Sequence, residues 1–277
     1  MQRKLTIAGV QMSSTAELGD NLKKAGSLID LAAEKGAKII TLPQLFNRPW
    51  FPAGVDKENF ALAEAEDGES ISFLRAVAEK NKVVLIASIF EKDSSDYFNT
   101  AFVIGDDGAV IGRYRKIHVP QIPLWEERSY FKAGDLGFPV FKTPYATIGV
   151  QLCWDIFFPE GFRVLALKGA EVVFTPTASA FAHSAKKWER AISAAAHANG
   201  IFIFRANRVG VEKEQEFYGK SFCVRPDGEF ISPPSGASEG IILSDIELAD
   251  IATARSSWVF LKDRRPSEYK EIIAGND

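Results

Sequence analysis

The sequence predicts an α/β protein in which two β-sheets pack against each other with helices outside. Three observations carry this. Short apolar runs alternate with amphipathic stretches along all 277 residues. Segments with strand-like patterning sit beside segments of helical spacing. Turn signals at Asp107-Gly108 and Asp227-Gly228 insert hairpins into that alternation. A chain 46% hydrophobic and 25% charged suits one large domain with a substantial core. No convincing repeat, linker or low-complexity segment divides it. A single domain is therefore expected over 1–277, with the charged stretch 263–277 as a surface arm.

Taken in order, Leu5 to Met12 alternates as a strand does, and 21–34 places Leu22, Ala25, Leu28, Ile29 and Ala32 on one helical face. Strand character returns over 37–42, followed by a loop rich in Pro and aromatic residues through Pro52. A helix is expected over 71–80 and strands over 83–90 and 100–104, the latter returning through 109–115. The second half repeats the plan in outline. Strand 147–152, helix 161–168, strand 171–175, helix 186–199 and strand 201–206 follow in sequence.

Composition removes several function classes. A net charge of -3 leaves no basic footprint for nucleic acid or an anionic membrane. Two cysteines in this length make no disulfide framework, which fits a reducing compartment. No apolar run approaches a membrane span and no signal peptide is evident, so a cytoplasmic protein is expected. His118, His183 and His197 lack close metal-ligand spacing, Cys223 stands alone in a strand-like run, and Gly-rich phosphate loops are missing. Cys223 reads as packing and His197 as a helix histidine.

Four positions carry the chemistry. Cys153 follows the apolar run Thr147-Ile148-Gly149-Val150-Gln151-Leu152, with Phe157-Phe158-Pro159-Glu160 opening a helix beyond it. A thiol there can attack, and a helix N-terminus would lower its pKa. Lys116 ends a strand before Ile117-His118-Val119-Pro120, Gln44 follows strand 39–42, and Glu127 lies in Trp125-Glu126-Glu127-Arg128. Strand-end loops often hold sites in α/β folds. Taken singly, each also reads as something ordinary: a packing thiol, a solvated strand end, a loop cap and a surface acid.

Together, and in this order, Leu42-Pro43-Gln44-Leu45-Phe46, Lys116-Ile117-His118-Val119-Pro120 and Cys153-Trp154-Asp155 resemble the nitrilase superfamily of carbon-nitrogen hydrolases. The resemblance runs from Val10-Gln11 to Asp263-Arg264-Arg265-Pro266. It implies a four-layer α-β-β-α sandwich, usually a homodimer, acting on a small molecule without metal or organic cofactor. It also implies Cys153 as nucleophile, Lys116 as cationic partner of the oxyanion, aided by the backbone N–H of Trp154, and Glu127 as a second acid. The departure is Gln44, where the family carries Glu. A carboxamide hydrogen-bonds but cannot act as the general base. An engineered change, a natural one, and partial takeover by Glu127 all remain open.

The motif around Cys153 and the tail 263–269 are most similar to the N-carbamoylputrescine amidase branch, with β-ureidopropionase-type hydrolysis, aliphatic amidase or nitrilase action, and a non-catalytic binding protein as alternatives. Trp50, Asp155 and Phe158 are expected to join Trp154 around the substrate, and 178–188 to shape the pocket entrance. A cationic substrate tail needs a carboxylate or an aromatic face, an anionic tail Arg or Lys. Glu126, Asp155 and Trp125 stand against Arg48, Arg128 and Arg208, and the inventory leaves both tails possible.

Overall fold

The computed structural model describes residues 3–274, whose two large sheets face each other. The first half supplies β1 (Lys4–Gln11), α1 (Leu18–Glu34), β2 (Ile39–Thr41), α2 (Glu69–Asn81), β3 (Val84–Asp93), β4 (Asp96–Ile104) and β5 (Val110–Arg115). The middle adds β6 (Val140–Lys142), β7 (Thr147–Val150), α3 (Pro159–Leu167), β8 (Val172–Thr177), α4 (Ala185–Asn199) and β9 (Phe202–Asn207). The remainder comprises β10 (Val209–Glu212), β11 (Gln215–Tyr218), β12 (Phe222–Val224), β13 (Gly240–Glu247), α5 (Ala249–Ser257) and α6 (Lys270–Ile273). One sheet runs β13-β1-β2-β3-β4-β5, the other β12-β9-β8-β7-β6, and β10 and β11 form a separate hairpin.

Burial accounts for the layers. Ile7, Ile39, Val84 and Val103 of the first sheet pack against Ile148, Val172, Phe174 and Phe204 of the second. The outer face of the first sheet (Ala8, Val10, Ile40, Leu85) is covered by Leu22, Ala25 and Ile29 of α1 and Ile71 and Leu74 of α2. Phe162 and Leu165 of α3 and Trp188, Ile192 and Ala196 of α4 cover Val173 and Ile203 of the second. This is the expected four-layer α-β-β-α sandwich. The alternation expected from Leu5 to Met12 is corrected here: β1 is covered on both faces, so Ile7 to Gln11 are buried without interruption and Ile7 to Val10 form a continuous apolar run. Gly9 lies where the sheets approach closely: a Cβ there would come within 2.3 Å of the Phe204 ring.

The expected arm at 263–277 is described as far as 274, and 275–277 lie outside the described residues. Its described part is exposed apart from a half-buried Arg264. β1, β2 and β3 run parallel, as do β7, β8 and β9. The loops leaving β2 and β8 meet where the Gln44 N–H donates to the Thr177 carbonyl across the sheets at 3.4 Å.

Candidate active site

Lys116 continues the β4–β5 ladder by one residue, its N–H donating to the Asn99 carbonyl at 2.9 Å. That register turns its side chain inward, where the ammonium donates to both Glu127 oxygens at 2.8 and 2.6 Å. Neither side chain is exposed at all. Glu127 opens a short 3-10 turn, Glu127–Ser129. Its Oε2 also accepts from Gln44 Nε2 and Asn99 Nδ2, each at 3.4 Å. Asn99, on β4, is held in turn by Ser88 Oγ at 2.9 Å. Gln44 is fully buried, and its Oε1 has no hydrogen-bond partner. Burial pushes the Glu127 carboxyl above the usual carboxylate range, against the pull of Lys116 and Asn99.

Cys153 begins a 3-10 turn, Cys153–Phe157, three residues beyond Val150 at the end of β7. Its φ of +49° lies in the left-handed region, which a residue bearing a Cβ adopts only where its surroundings hold it. The expectation of a thiol activated by a helix N-terminus is corrected here. The helix α3 starts only at Pro159, and burial dominates, pushing the thiol above its usual range. Lys116, the backbone N–H of Ala178 and Arg205 act in the opposite direction, while Glu127 adds to the rise.

Cys153 and Glu127 line one cavity of about 450 Å³. Its walls are largely aromatic: Trp125, Trp154, Phe157, Phe181 and Trp188. Ser179, His183, Ser184 and Lys187 supply its polar groups, so the segment 178–188 does border the pocket. Gln44 and Lys116 reach Glu127 from within the protein rather than from the cavity surface.

Three expected substrate contacts lie elsewhere. Asp155 is fully buried and accepts from the Tyr114 hydroxyl (2.7 Å), the Leu152 N–H (3.0 Å) and the His118 N–H (2.8 Å), with His118 Nδ1 also at 2.8 Å. It braces the Cys153 turn against β5 and does not border the cavity. Phe158 stacks on the His118 ring at 3.6 Å between centroids, again away from the cavity. Trp50 packs edge-on against Phe217, donates to the Leu124 carbonyl at 3.0 Å, and lines a different cavity of about 620 Å³ with Arg48 and Glu212. Trp154 alone of that group borders the Cys153 cavity. Asn99 had no motif to single it out, and Phe181, Lys187 and Trp188 were reached only as part of the segment 178–188. Among the described residues, no cluster of three or more His, Cys, Asp or Glu side chains is arranged to hold a metal ion.

Comparison with known proteins defines the class. The Carbon-nitrogen hydrolase family profile matches residues 6–256, and the chain belongs to that family, within the nitrilase superfamily. Among its relatives, N-carbamoylputrescine amidase of Solanum lycopersicum is 35% identical over 286 residues, covering 98% of this chain and 95% of the relative. Citrullinase of Francisella tularensis subsp. tularensis is 36% identical over 280 residues, covering 97% and 98%. The crystal structure of a carbon-nitrogen hydrolase from Helicobacter pylori G27 superposes with a TM-score of 0.95 at 32% identity, over 99% of this chain and 100% of the other. An amidase from Nesterenkonia sp. AN1 (TM-score 0.83, 27% identity, 96% of each chain) was solved as a Glu-to-Gln mutant with the acetamide moiety of fluoroacetamide covalently added at its active site cysteine.

Proposed function

We propose that this chain hydrolyses the carbamoyl C–N bond of a small ureido compound through a covalent intermediate on Cys153, and that Gln44 makes the reaction slow. The observation that carries the reading is the shared cavity: Cys153 and Glu127 border it together, and Lys116 holds both oxygens of Glu127. The two curated relatives above are named for carbamoyl-bearing substrates, which supports the ureido class.

In this reading the Cys153 thiolate attacks the ureido carbonyl carbon. The Lys116 ammonium, which sits behind Glu127 yet acts on the Cys153 thiol, and nearby backbone N–H groups stabilise the oxyanion. Collapse breaks the bond to the terminal nitrogen, which leaves with a proton as ammonia, and the carbonyl stays on sulfur as a thiocarbamate. Water then releases a carbamic acid, which loses carbon dioxide to give the amine. A general base must take the thiol proton and later activate that water. Gln44 cannot. Four hydrogen bonds already converge on Glu127, so its carboxylate holds Lys116 rather than serving as a free base. Loss of a general base costs roughly a hundred- to ten-thousand-fold in rate. The Glu-to-Gln mutant of the Nesterenkonia amidase is a precedent for covalent addition at a cysteine in such a variant.

The test is ammonia release from N-carbamoyl amines and acids, comparing this chain with Gln44→Glu and Cys153→Ala. Release that rises in Gln44→Glu and vanishes in Cys153→Ala is expected. Release that survives Cys153→Ala would sink the mechanism.

A further inference from the structure

We propose that the cavity wall formed by Ser179, Ser184 and Lys187 binds an anionic group, so that the substrate is a ureido acid: a carbamoylated amine whose far end carries a carboxylate. The inference rests on the ureido-hydrolase reading above and names which tail that site accepts.

The charge around the cavity is one-sided. Among the described residues that line it, Glu127 is the only carboxylate, and Lys116 already engages both its oxygens. A substrate ending in an ammonium would therefore meet aromatic faces but no available carboxylate. Cations are placed differently. The neighbouring lysines of α4 part ways: Lys186 pairs with Glu189 at 2.6 Å, whereas Lys187 lines the cavity with no ion-pair partner among the described residues. Behind the wall, Arg205 of β9 is 1% exposed and also lacks a carboxylate partner there, and its guanidinium lies 4.9 Å from the ring centroid of Trp188, which faces the cavity. Glu189, the carboxylate that acts on it, is already paired with Lys186, so this buried cation still projects a positive potential through so thin a layer of low dielectric.

The hydroxyl groups are polarised in the same sense. Arg205 Nη2 lies 3.2 Å from the Tyr218 oxygen, and a guanidinium has only donors, so that oxygen accepts. The Tyr218 proton is then turned toward Ser179 Oγ at 2.9 Å or Ser184 Oγ at 3.4 Å. Whichever serine accepts it keeps its own proton to donate. Both serines border the cavity. The wall thus offers hydroxyl donors, a free ammonium and a positive potential from behind, which together favour a carboxylate over the ammonium that the aromatic faces alone would accept.

Isothermal calorimetry on the Cys153→Ala protein separates the outcomes, because binding is read without turnover. N-carbamoyl-β-alanine is expected to bind about ten-fold more tightly than N-carbamoylputrescine, and less so as salt is raised. Lys187→Glu, at an exposed position, should remove or reverse that preference. Tyr218→Phe should weaken the acid several-fold while leaving the amine unchanged. Equal binding of the two ligands, or tighter binding of the amine, would overturn the proposal. Binding of neither would instead remove the ureido reading on which it stands.

Discussion

Replacing Gln44 by Glu tests the reading most directly, because it changes one buried amide into the base the reaction lacks. The site has an open hydrogen-bonding position, since Gln44 Oε1 is buried without a partner. The geometry nevertheless exacts something. Gln44 Nε2 is a donor to Glu127 at 3.4 Å, and a carboxylate there would meet a like charge across the same gap. Two adjacent buried carboxyls cannot both ionise freely, so the new one should hold a proton well above the usual carboxylate range. The sign for stability follows. A folded-state pKa raised above the unfolded value of about 4.3 leaves Gln44→Glu undiminished at lower pH, and makes it progressively less stable than the parent as pH rises from there to the folded pKa. Catalysis should move the other way. A restored base is worth about a hundred- to ten-thousand-fold, or roughly 2.7–5.5 kcal/mol of barrier. Initial rates of ammonia release between pH 5 and 9, with urea unfolding at pH 4 and 8, read both effects. A variant that loses stability at pH 8 while its rate stays within three-fold of the parent would refute the assignment of the base to this position.

Three other outcomes follow from the same geometry. Iodoacetamide should label Cys153, which a cavity reaches, and not Cys223, which is buried between the sheets with its thiol pushed up to about 12. Because burial also raises the Cys153 thiol, labelling should be slow at pH 7 and still accelerating above pH 9; a rate already flat at pH 7 would mean a preformed thiolate. Lys116→Met strands a buried Glu127 and should cost about 3–5 kcal/mol in urea melts, while adding Glu127→Gln should recover much of that; simple additivity of the two would contradict a coupled pair. Asp155→Asn weakens the acceptor shared by Tyr114, Leu152 and His118, for an expected loss of about 1–3 kcal/mol, whereas unchanged stability with a raised KM would restore Asp155 to the substrate.

The elements that could be read from the sequence are those whose burial is complete on one face or on both. α1 shows its buried stripe at Leu22, Ala25, Ile29 and Ala32, and β1 shows its apolar run. β13 is different. It lies at the sheet edge, six of its eight residues are exposed or only half-buried, and it exists because all eight pair with β1 more than 200 positions earlier. Such a strand owes its conformation to its partner rather than to its own pattern. The β10–β11 hairpin and the join between β3 and β4 escaped for another reason. Their turns put Lys213 and Ser94 at positive φ, where the usual signal is Gly or Asn.

The site divides along the same line. Gln44, Lys116 and Cys153 each follow a strand end, and strand ends are what apolar periodicity marks best. Adjacency to a motif carries no such information. Asp155 is two residues from Cys153, but on a 3-10 turn that is about 240° of rotation, and the side chain points into the protein rather than into the cavity. Counting nearby charges fails likewise, because most are already engaged. Arg208 is spent on Glu212 and the carbonyls of Leu45 and Arg48, Arg128 on the Val119 carbonyl, and Glu126 on Gln121. Arg48 borders the other cavity. What selects a substrate tail is the charge left over once these bonds are made, and at the Cys153 cavity that remainder is Lys187 in front of Arg205. Neither belongs to a motif, which is why the sequence points to the reaction and leaves the substrate open.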